Sequence, residues 1–341
     1  MGTLYKGAKN AVEVCMEVKS DEHVLIVTDK SQYEVGRTLR KAAFEVTPYV
    51  SMLTLEAFGE RPMTVLPKQI EELVPKMDVT FWAAESKKGE LEMRRPFIQL
   101  AKKYARHGHM PGVTKKLMEQ GMCSDYERIY RFTNNLHKFV KNARTIEITN
   151  PAGTDLKISL NPEWRWKPCT GIYHKKGEWG NLPEGELYTA ALNVDGTLVV
   201  DELGDWFSEK YGALTPPENK ANTPVFMSIR GSRVDLRTLK CSNKELEKEL
   251  IEYLMTDENS NKVGEVSLPT NLELMKKPLI GNLLQDEKAR VHIAFGNPYS
   301  DETGADWESK THVDCLIKQC TVFIDGKKRI IENDRYRHFI P

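Results

Sequence analysis

The chain has 341 residues, more than a single hydrophobic core usually organises, which predicts two domains. Hydrophobic residues make up 40% and charged residues 29%, the usual proportions of a folded globular protein. The 49 basic side chains equal the 49 acidic ones, so no excess positive charge is available to bind nucleic acid or an anionic membrane. Apolar runs long enough to span a bilayer are absent from the sequence, and neither partner is expected.

The six cysteines are spread along the chain without a CxxC pair. This spacing argues against a disulfide framework and against a structural zinc knuckle. The N-terminus also lacks the apolar run of a signal peptide. We therefore expect reduced thiols and a cytoplasmic protein.

Residues 1–147 alternate helix-like and strand-like segments. The alternation is typical of βαβ units around a parallel sheet, so a doubly wound α/β domain is predicted here. The first strand is followed by Thr28-Asp-Lys-Ser-Gln32 instead of a glycine-rich dinucleotide fingerprint, so this domain is expected to be a scaffold. Helical spacing covers residues 4–18, 33–44 and 68–74, and strand-like apolar runs cover 23–28, 46–50 and 78–84.

Residues 148–341 are dominated by short strands and turns, which predicts a mixed α+β, strand-rich second domain. One helix is clear at residues 244–255, with Ser242 as its N-cap and Glu245 completing a capping box. Near the end, strand-like residues flank Asp325-Gly326, a pattern typical of a β-hairpin.

Two histidines and one aspartate form the first candidate site. His312 and Asp314 are two residues apart, so on a strand both would point to the same face. His292 lies in the alternating run Arg290-Val-His-Ile-Ala-Phe295, where it would face away from the apolar side chains. Each histidine alone is more often a hydrogen-bonded strand residue than a ligand. Together, two imidazoles and one carboxylate are the minimum set for Zn²⁺ or Fe²⁺.

Two carboxylates in glycine-containing turns are further candidates. Glu186 ends the run Gly180-Asn-Leu-Pro-Glu-Gly-Glu186, and Glu265 lies in Val263-Gly-Glu-Val266. An adjacent glycine lets the backbone bring a carboxylate close to a crowded centre. Either glutamate alone would be interpreted as a solvated turn residue, as would three other acids: Glu178, Glu184 and Asp201.

One pair of histidines and one pair of tryptophans have simple structural interpretations. His107 and His109 are expected in a basic surface loop, with a second metal pair as the alternative. Trp164 and Trp166 are expected to pack on one strand face, with pocket lining as the alternative.

The motifs, taken in chain order, resemble the aminopeptidase T family of thermophilic-type metallopeptidases, which hold two metal ions in one site. The resemblance covers most of the chain, and several motifs in the family's order are far more specific than any one of them. The matching segments are His109-Met-Pro-Gly-Val-Thr114, Gly153-Thr-Asp-Leu156, Asn181-Leu-Pro-Glu-Gly-Glu186, Gly264-Glu265, Asp286-Glu-Lys288 with His292-Ile-Ala-Phe-Gly296, Tyr299, and His312-Val-Asp314.

This resemblance implies a metal-dependent aminopeptidase that hydrolyses N-terminal residues of peptides by means of a hydroxide held between two divalent ions (Zn, Co or Mn). Tyr299 would be a catalytic residue, and Glu265 would also move protons. The three ligand carboxylates would leave about one positive charge on two divalent cations. A homodimer is also implied. The implied metal ligands are Glu186, Glu265, His292, His312 and Asp314.

The same region also resembles the related ring-cleaving dioxygenases that act on dihydroxypyridines. These enzymes hold one Fe(II) with two histidines and one carboxylate, and residues 311–326 resemble them. Glu186 and Glu265 distinguish the two possibilities, because a dinuclear hydrolase needs them and an iron triad does not. The aminopeptidase is therefore the favoured hypothesis. The dioxygenase is the alternative, and a binding module that retains an old metal site is a third possibility.

Overall fold

The structure is a computed structural model that describes residues 2–337. Within that range, no helix combines the length and the apolar character needed to cross a membrane. The helices are α1 (Leu4–Lys9), α2 (Tyr33–Phe44), α3 (Lys68–Leu73), α4 (Leu91–Tyr104), α5 (Lys115–Glu119), α6 (Tyr126–Val140), α7 (Trp206–Tyr211), α8 (Lys244–Tyr253), α9 (Leu283–Asp286) and α10 (Ser300–Thr303).

The strands form three sheets. They are β1 (Val24–Thr28), β2 (Val50–Thr54), β3 (Val79–Ala83), β4 (Arg106–His109), β5 (Thr145–Thr149), β6 (Asp155–Ser159), β7 (Lys167–Cys169), β8 (Trp179–Asn181), β9 (Glu186–Thr189), β10 (Asn193–Val200), β11 (Glu202–Leu203), β12 (Val225–Arg230), β13 (Arg233–Lys240), β14 (Val263–Pro269), β15 (Val291–Gly296), β16 (His312–Ile317), β17 (Thr321–Ile324), β18 (Lys328–Glu332) and β19 (Arg335–Tyr336).

Contacts within the chain define two compact units. The first comprises Met1–Tyr130 and Thr170–Glu184, and the second comprises Arg131–Cys169 and Gly185–Pro341. The predicted boundary between residues 147 and 148 would separate two domains that fold independently. Contacts within the chain do not test independent folding, so this boundary stays a prediction.

The first unit contains a parallel sheet in the order β2-β1-β3-β4-β8. Strands β1 and β3 are buried at every position, as expected for apolar runs in a sheet that is covered on both faces. The chain passes from β1 outward to β2 and then returns to β3 on the other side of β1. The predicted α/β fold with an N-terminal parallel sheet is therefore confirmed.

A buried ion network occupies the carboxyl ends of β1 and β3, where the strand order reverses. Doubly wound sheets usually bind their ligands in this place. Here the Arg61 guanidinium donates to the carboxylates of Asp29 and Glu90, and to the carbonyl oxygen of Glu85 at 2.8 Å. The Arg61 side chain is only 3% exposed, and both acids are fully buried. A side chain of the protein thus fills the usual ligand position.

His107 and His109 lie on the buried strand β4, so their prediction as surface-loop residues is wrong. The apolar neighbours of this strand bury both imidazoles. His107 Nδ1 lies 3.0 Å from Thr80 Oγ1, and its Nε2 lies 3.0 Å from His109 Nδ1. Burial lowers the pKa of His107 to about 4, which keeps that imidazole neutral at physiological pH.

The second unit contains two antiparallel sheets. One has the order β13-β12-β10-β6-β5-β17-β18-β19, and the other has the order β11-β16-β15-β14-β9-β7. Apolar side chains from both sheets form one hydrophobic core, to which α8 adds Leu246 and Leu250. The predicted strand-rich C-terminal architecture is confirmed, as is the hairpin at Asp325-Gly326 between β17 and β18.

The start of α8 differs from the prediction. Asn243, and not Ser242, is the N-cap, because its Oδ1 accepts hydrogen bonds from the amides of Glu245 and Leu246 at 3.1 and 3.2 Å. The predicted capping glutamate is therefore not paired with a capping serine. Glu247 instead reaches back to accept from the amide of Cys241 at 2.7 Å.

Candidate metal centre

The candidate site lies on one face of the sheet formed by β9, β14, β15 and β16. Residues directly opposite each other in an antiparallel pair share a face, and so do residues two apart on one strand. Ala294 is opposite both Glu265 and Asp314, and Ser267 is opposite His292. The register of the strands therefore gathers these polar side chains on one face: Glu186, Glu265, Ser267, His292, His312 and Asp314.

Small residues leave room at the middle of this face. Ala294 lies between Glu265 and Asp314, and Gly296 is opposite His312. Gly204 lies against Asp314, where an added Cβ would be 2.7 Å from Asp314 Oδ2. Side chains this small allow the acids and imidazoles to approach one common region.

The distances between the polar atoms fit a shared cation. His292 Nε2 lies 3.4 Å from Glu265 Oε1, 3.5 Å from Glu186 Oε2 and 3.7 Å from Asp314 Oδ1. His312 Nε2 lies 3.3 Å from Asp314 Oδ1 and 3.8 Å from Glu265 Oε2. Neighbouring ligand atoms of a tetrahedral site with bonds of about 2.1 Å are about 3.4 Å apart. The donor set therefore matches the spacing around a divalent metal.

Both imidazoles are oriented with Nε2 toward the carboxylates. His292 Nδ1 lies 3.2 Å from the carbonyl oxygen of Arg290, and His312 Nδ1 lies 2.9 Å from that of Asn297. A carbonyl oxygen only accepts hydrogen bonds, so each Nδ1 must carry the proton. In the neutral tautomer this leaves the Nε2 lone pair free for a metal, an arrangement typical of metal-binding histidines.

The acidic side chains strongly favour a positive charge at this site. Burial by itself lowers the pKa of both histidines, but the nearby carboxylates outweigh it and raise the pKa of His292 to about 9 and that of His312 to about 10. Burial by itself raises the pKa of Asp314, but His312 and His292 outweigh it and hold that pKa at about 2. A divalent cation would satisfy the same electrostatic demand.

Besides a group of Cys169, Glu184 and Glu186, the five candidate ligands form two overlapping groups. Glu186, Glu265 and His292 make up one group, and Glu265, His312 and Asp314 make up the other. Within each group, the ligand atoms all lie within 4.8 Å of one another. The five residues named from the sequence are thus brought together, and Glu265 is common to both groups. Their role as ligands stays a prediction.

Three polar residues at the centre were given no role from the sequence, although Glu287 and Lys288 lie in the family-like segment Asp286-Glu-Lys288. Ser267 Oγ donates to Glu186 Oε2 at 2.9 Å. Lys288, whose side chain is fully buried, pairs with Glu186 Oε1 and lies 2.6 Å from Glu287 Oε1. Ser267 follows Glu265 by two residues, so strand alternation could have indicated it. An adjacent Glu-Lys pair in a loop gives no comparable signal, because such pairs are usually solvated.

Tyr299 lies beside the imidazole of His312, with ring centroids 4.7 Å apart. It has a left-handed backbone conformation, with φ of 51°, and Asn297 Oδ1 accepts from its amide at 2.8 Å. The residue is 42% exposed, so a substrate can reach it. Although the residue as a whole is partly exposed, its hydroxyl end is surrounded by protein, and this burial, together with Glu265 and other nearby acids, raises the pKa of Tyr299 well above its ordinary value, so the hydroxyl keeps its proton.

Tyr188 and Glu302 extend this polar region beyond Tyr299. The Tyr188 hydroxyl donates to Glu302 Oε2, and Glu302 Oε1 lies 3.1 Å from Lys167 Nζ. The Tyr188 ring lies 5.9 Å from that of Tyr299. Strand alternation could have indicated Tyr188, because it follows Glu186 by two residues on β9.

Gly204→Ala is expected to weaken metal binding by about tenfold, the lower end of the effect of disturbing a group that supports a ligand. The new Cβ would lie 2.7 Å from Asp314 Oδ2 and 2.8 Å from the Asp314 amide nitrogen, so this carboxylate would have to move. Metal affinity is measured by competition with a chromophoric chelator, and thermal unfolding of the metal-free protein serves as the control. An unchanged affinity would show that Asp314 is not a ligand.

Comparison with known families confirms both resemblances found in the motifs. The family model of the thermophilic metalloprotease (M29) matches residues 237–333, the segment that contains Glu265, His292, Tyr299, His312 and Asp314. The family model of 2,5-dihydroxypyridine 5,6-dioxygenase matches residues 116–235, the segment that contains Glu186. A search of curated proteins finds no match.

Two solved structures share this fold. Wild-type AmpT from Thermus thermophilus has a TM-score of 0.72 at 17% identity, with 98% of each chain covered. The 2,5-dihydroxypyridine dioxygenase from Pseudomonas putida KT2440 has a TM-score of 0.70 at 14% identity, with 98% of this chain and 97% of that chain covered. At these identities the likeness establishes the fold, and the function must be argued from the site.

Proposed function

We propose that this protein is a metal-dependent aminopeptidase that hydrolyses the N-terminal residues of peptides with the help of two divalent cations. The observation that supports this most directly is the position of Glu265 in both ligand groups. A carboxylate shared in this way would be available to both ions of a two-metal hydrolase. Zn, Co or Mn as the metal, a homodimeric assembly and a cytoplasmic location are parts of the same proposal.

The charges of the proposed ligands fit two divalent ions. Three carboxylates balance three of the four positive charges, which leaves about one positive charge for an activated water. When bound, such ions supply Lewis acidity and lower the pKa of a coordinated water toward about 7. Two imidazoles complete the set without adding charge.

Glu265 and Tyr299 are the residues proposed to act on the reacting atoms. Glu265 is buried, and burial raises its pKa while the two histidines oppose this effect. A carboxylate in such a position can take a proton from water and pass it to the leaving amine. The protonated Tyr299 hydroxyl can donate a hydrogen bond to the developing oxyanion, a contribution of about 3 kcal/mol.

The proposal is tested by assaying the metal-loaded chain on aminoacyl substrates. Tyr299→Phe is expected to lower kcat by about a hundredfold, since it removes one oxyanion donor, and to leave the metal content unchanged. Tyr130→Phe is a matched control, because Tyr130 is also an exposed tyrosine and lies in the first unit. If the metal-loaded protein leaves every aminoacyl substrate intact, the aminopeptidase proposal is wrong.

A second candidate function is that of a ring-cleaving dioxygenase with one Fe(II). It is supported by the 2,5-dihydroxypyridine 5,6-dioxygenase match over residues 116–235. His292, His312 and Asp314 also provide the two imidazoles and one carboxylate that such iron sites use. The discriminating measurement is oxygen consumption with 2,5-dihydroxypyridine after loading with Fe(II). Turnover there, combined with a content of one iron per chain, would favour this candidate.

A further inference from the structure

Lys288 is a buried cation in direct contact with one proposed ligand. Its side chain has no exposed surface, and its ammonium group pairs with Glu186 Oε1 and with Glu287 Oε1. The other oxygen of Glu186, Oε2, accepts from Ser267 Oγ and lies 3.5 Å from His292 Nε2. The two oxygens of Glu186 therefore have different partners: Oε1 pairs with the ammonium group, and Oε2 is the oxygen near His292.

The loop that bears Lys288 is held in place by Asp286. One carboxylate oxygen of Asp286 accepts hydrogen bonds from the amides of Ile280 and Gly281 at 2.8 Å and from that of Asn282 at 3.1 Å. Three such bonds anchor the segment just before Glu287 and Lys288. The backbone next to Lys288 is thus held by the protein itself, and the lysine side chain is fully buried beside Glu186.

We infer that Lys288 makes the two cation positions unequal by weakening the position that contains Glu186. This inference rests on the proposed dinuclear function and adds to it an order of loading. The first ion occupies the group of Glu265, His312 and Asp314, and the second occupies the group of Glu186, Glu265 and His292. Lys288 acts as a positioning residue and does not itself touch the metal.

Two physical effects lead to this order. The ammonium group neutralises part of the charge of Glu186 and repels a divalent cation a few ångströms away, an interaction that is strong where water is excluded. It also reserves Oε1, so that Glu186 can offer a metal only its Oε2. The neighbours of Asp314 Oδ1 are instead imidazole nitrogens, His312 Nε2 at 3.3 Å and His292 Nε2 at 3.7 Å, which can themselves bind the cation. The negative charge of Glu287 in turn reduces the repulsion between Lys288 and the cation.

The test is a calorimetric titration of the full chain, stripped of metal by chelation, with Zn²⁺. Two steps are expected in the wild type. Lys288→Met should raise the affinity for the second ion by about tenfold or more and leave the first nearly unchanged. Lys288→Arg should retain the weak second step, because it preserves the charge. Glu287→Gln should weaken the second step further, because Lys288 then has fewer acids to share its charge with.

Further variants separate the inference from simpler explanations. Lys288→Met combined with Glu287→Gln should keep a raised second affinity, and loss of the gain in this double variant would mean that a newly freed Glu287 caused it. An unchanged second step in Lys288→Met, or the same gain in Lys288→Arg, would overturn the inference. Should Lys288→Met fail to fold, Glu287→Gln decides, since an equal or stronger second step contradicts the proposed role.

The titration also distinguishes this inference from the proposed function. A wild type that binds one ion, beside a Lys288→Met variant that binds two, would support the role of Lys288 and count against a dinuclear peptidase. Two equal steps in a wild type that cleaves aminoacyl substrates would support a dinuclear peptidase and count against the role of Lys288. Glu186→Gln is the reference for the loss of the second position, because it should reduce occupancy from about two ions toward one.

Discussion

Glu265→Gln is expected to lower peptide hydrolysis by about a thousandfold, equal to about 4 kcal/mol, and to weaken the binding of both ions. Glu265 belongs to both ligand groups, and its two oxygens face different imidazoles, His292 at 3.4 Å and His312 at 3.8 Å. Glutamine preserves the shape but removes the negative charge and replaces one oxygen with an NH₂ group that repels a cation. Glu186 is also common to two groups, but its second group consists of Cys169 and Glu184 and contains no histidine.

The measurements are metal content after gel filtration and the rate of hydrolysis of an aminoacyl substrate. Glu258→Gln is the matched control, because Glu258 is an exposed acid in the same unit whose replacement should change neither quantity. Since metal content is measured independently of turnover, the result bears on the site even if the substrate is wrong. A Glu265→Gln variant with the metal content of the wild type would refute the shared-ligand geometry.

Arg61→Met is expected to destabilise the first unit by about 3–5 kcal/mol, a large part of the stability of a typical domain. The substitution leaves Asp29 and Glu90 buried without their cation, and it also removes the hydrogen bond to the Glu85 carbonyl oxygen. Burying an unpaired carboxylate costs more than the pair contributes, so the loss reflects the acids that remain. Urea unfolding followed by tryptophan fluorescence measures it.

Arg237→Met is the matched control for Arg61. Arg237 also pairs with an aspartate, Asp235, but its side chain is 89% exposed, and an exposed pair contributes at most about 1 kcal/mol. Arg61→Met combined with Asp29→Asn and Glu90→Gln should recover part of the lost stability, because it removes the unpaired charges. If the single and the triple variants lose the same stability, unpaired charge is not the cause.

The fold was predictable where local patterns have a single interpretation. Apolar runs such as Val24–Thr28 could only be buried strands, and the Asp325-Gly326 turn could only join a hairpin. His107 and His109 were misassigned because basic neighbours suggested a surface, whereas burial depends on what packs over a strand from distant parts of the chain. The N-cap of α8 is Asn243, one residue after the predicted Ser242. Both residue types are good N-caps, and only the backbone geometry selects between them.

The candidate residues could be named from the sequence, whereas their arrangement in space could not. His312 and Asp314 were predicted to share a face because strand alternation is local. That Glu186 and Glu265 join them depends on the pairing of β9 with β14 and of β14 with β15, which no local pattern specifies. The role of Lys288 was not predicted for the same reason: the segment Asp286-Glu-Lys288 resembles the family, but nothing near it in the sequence indicates that its loop packs against Glu186.

The uninterrupted pairing of β15 with β16 has a consequence for how such a centre can diversify. A shift of one residue in either strand would turn its ligands to the opposite face, so insertions there are not tolerated. The connection at residues 297–311, in contrast, can change in length while His292, His312 and Asp314 stay in register, although such a change would move Tyr299. In the proposed enzyme, Tyr299 would therefore lie on a stretch of chain that can vary independently of the strands that carry His292, His312 and Asp314.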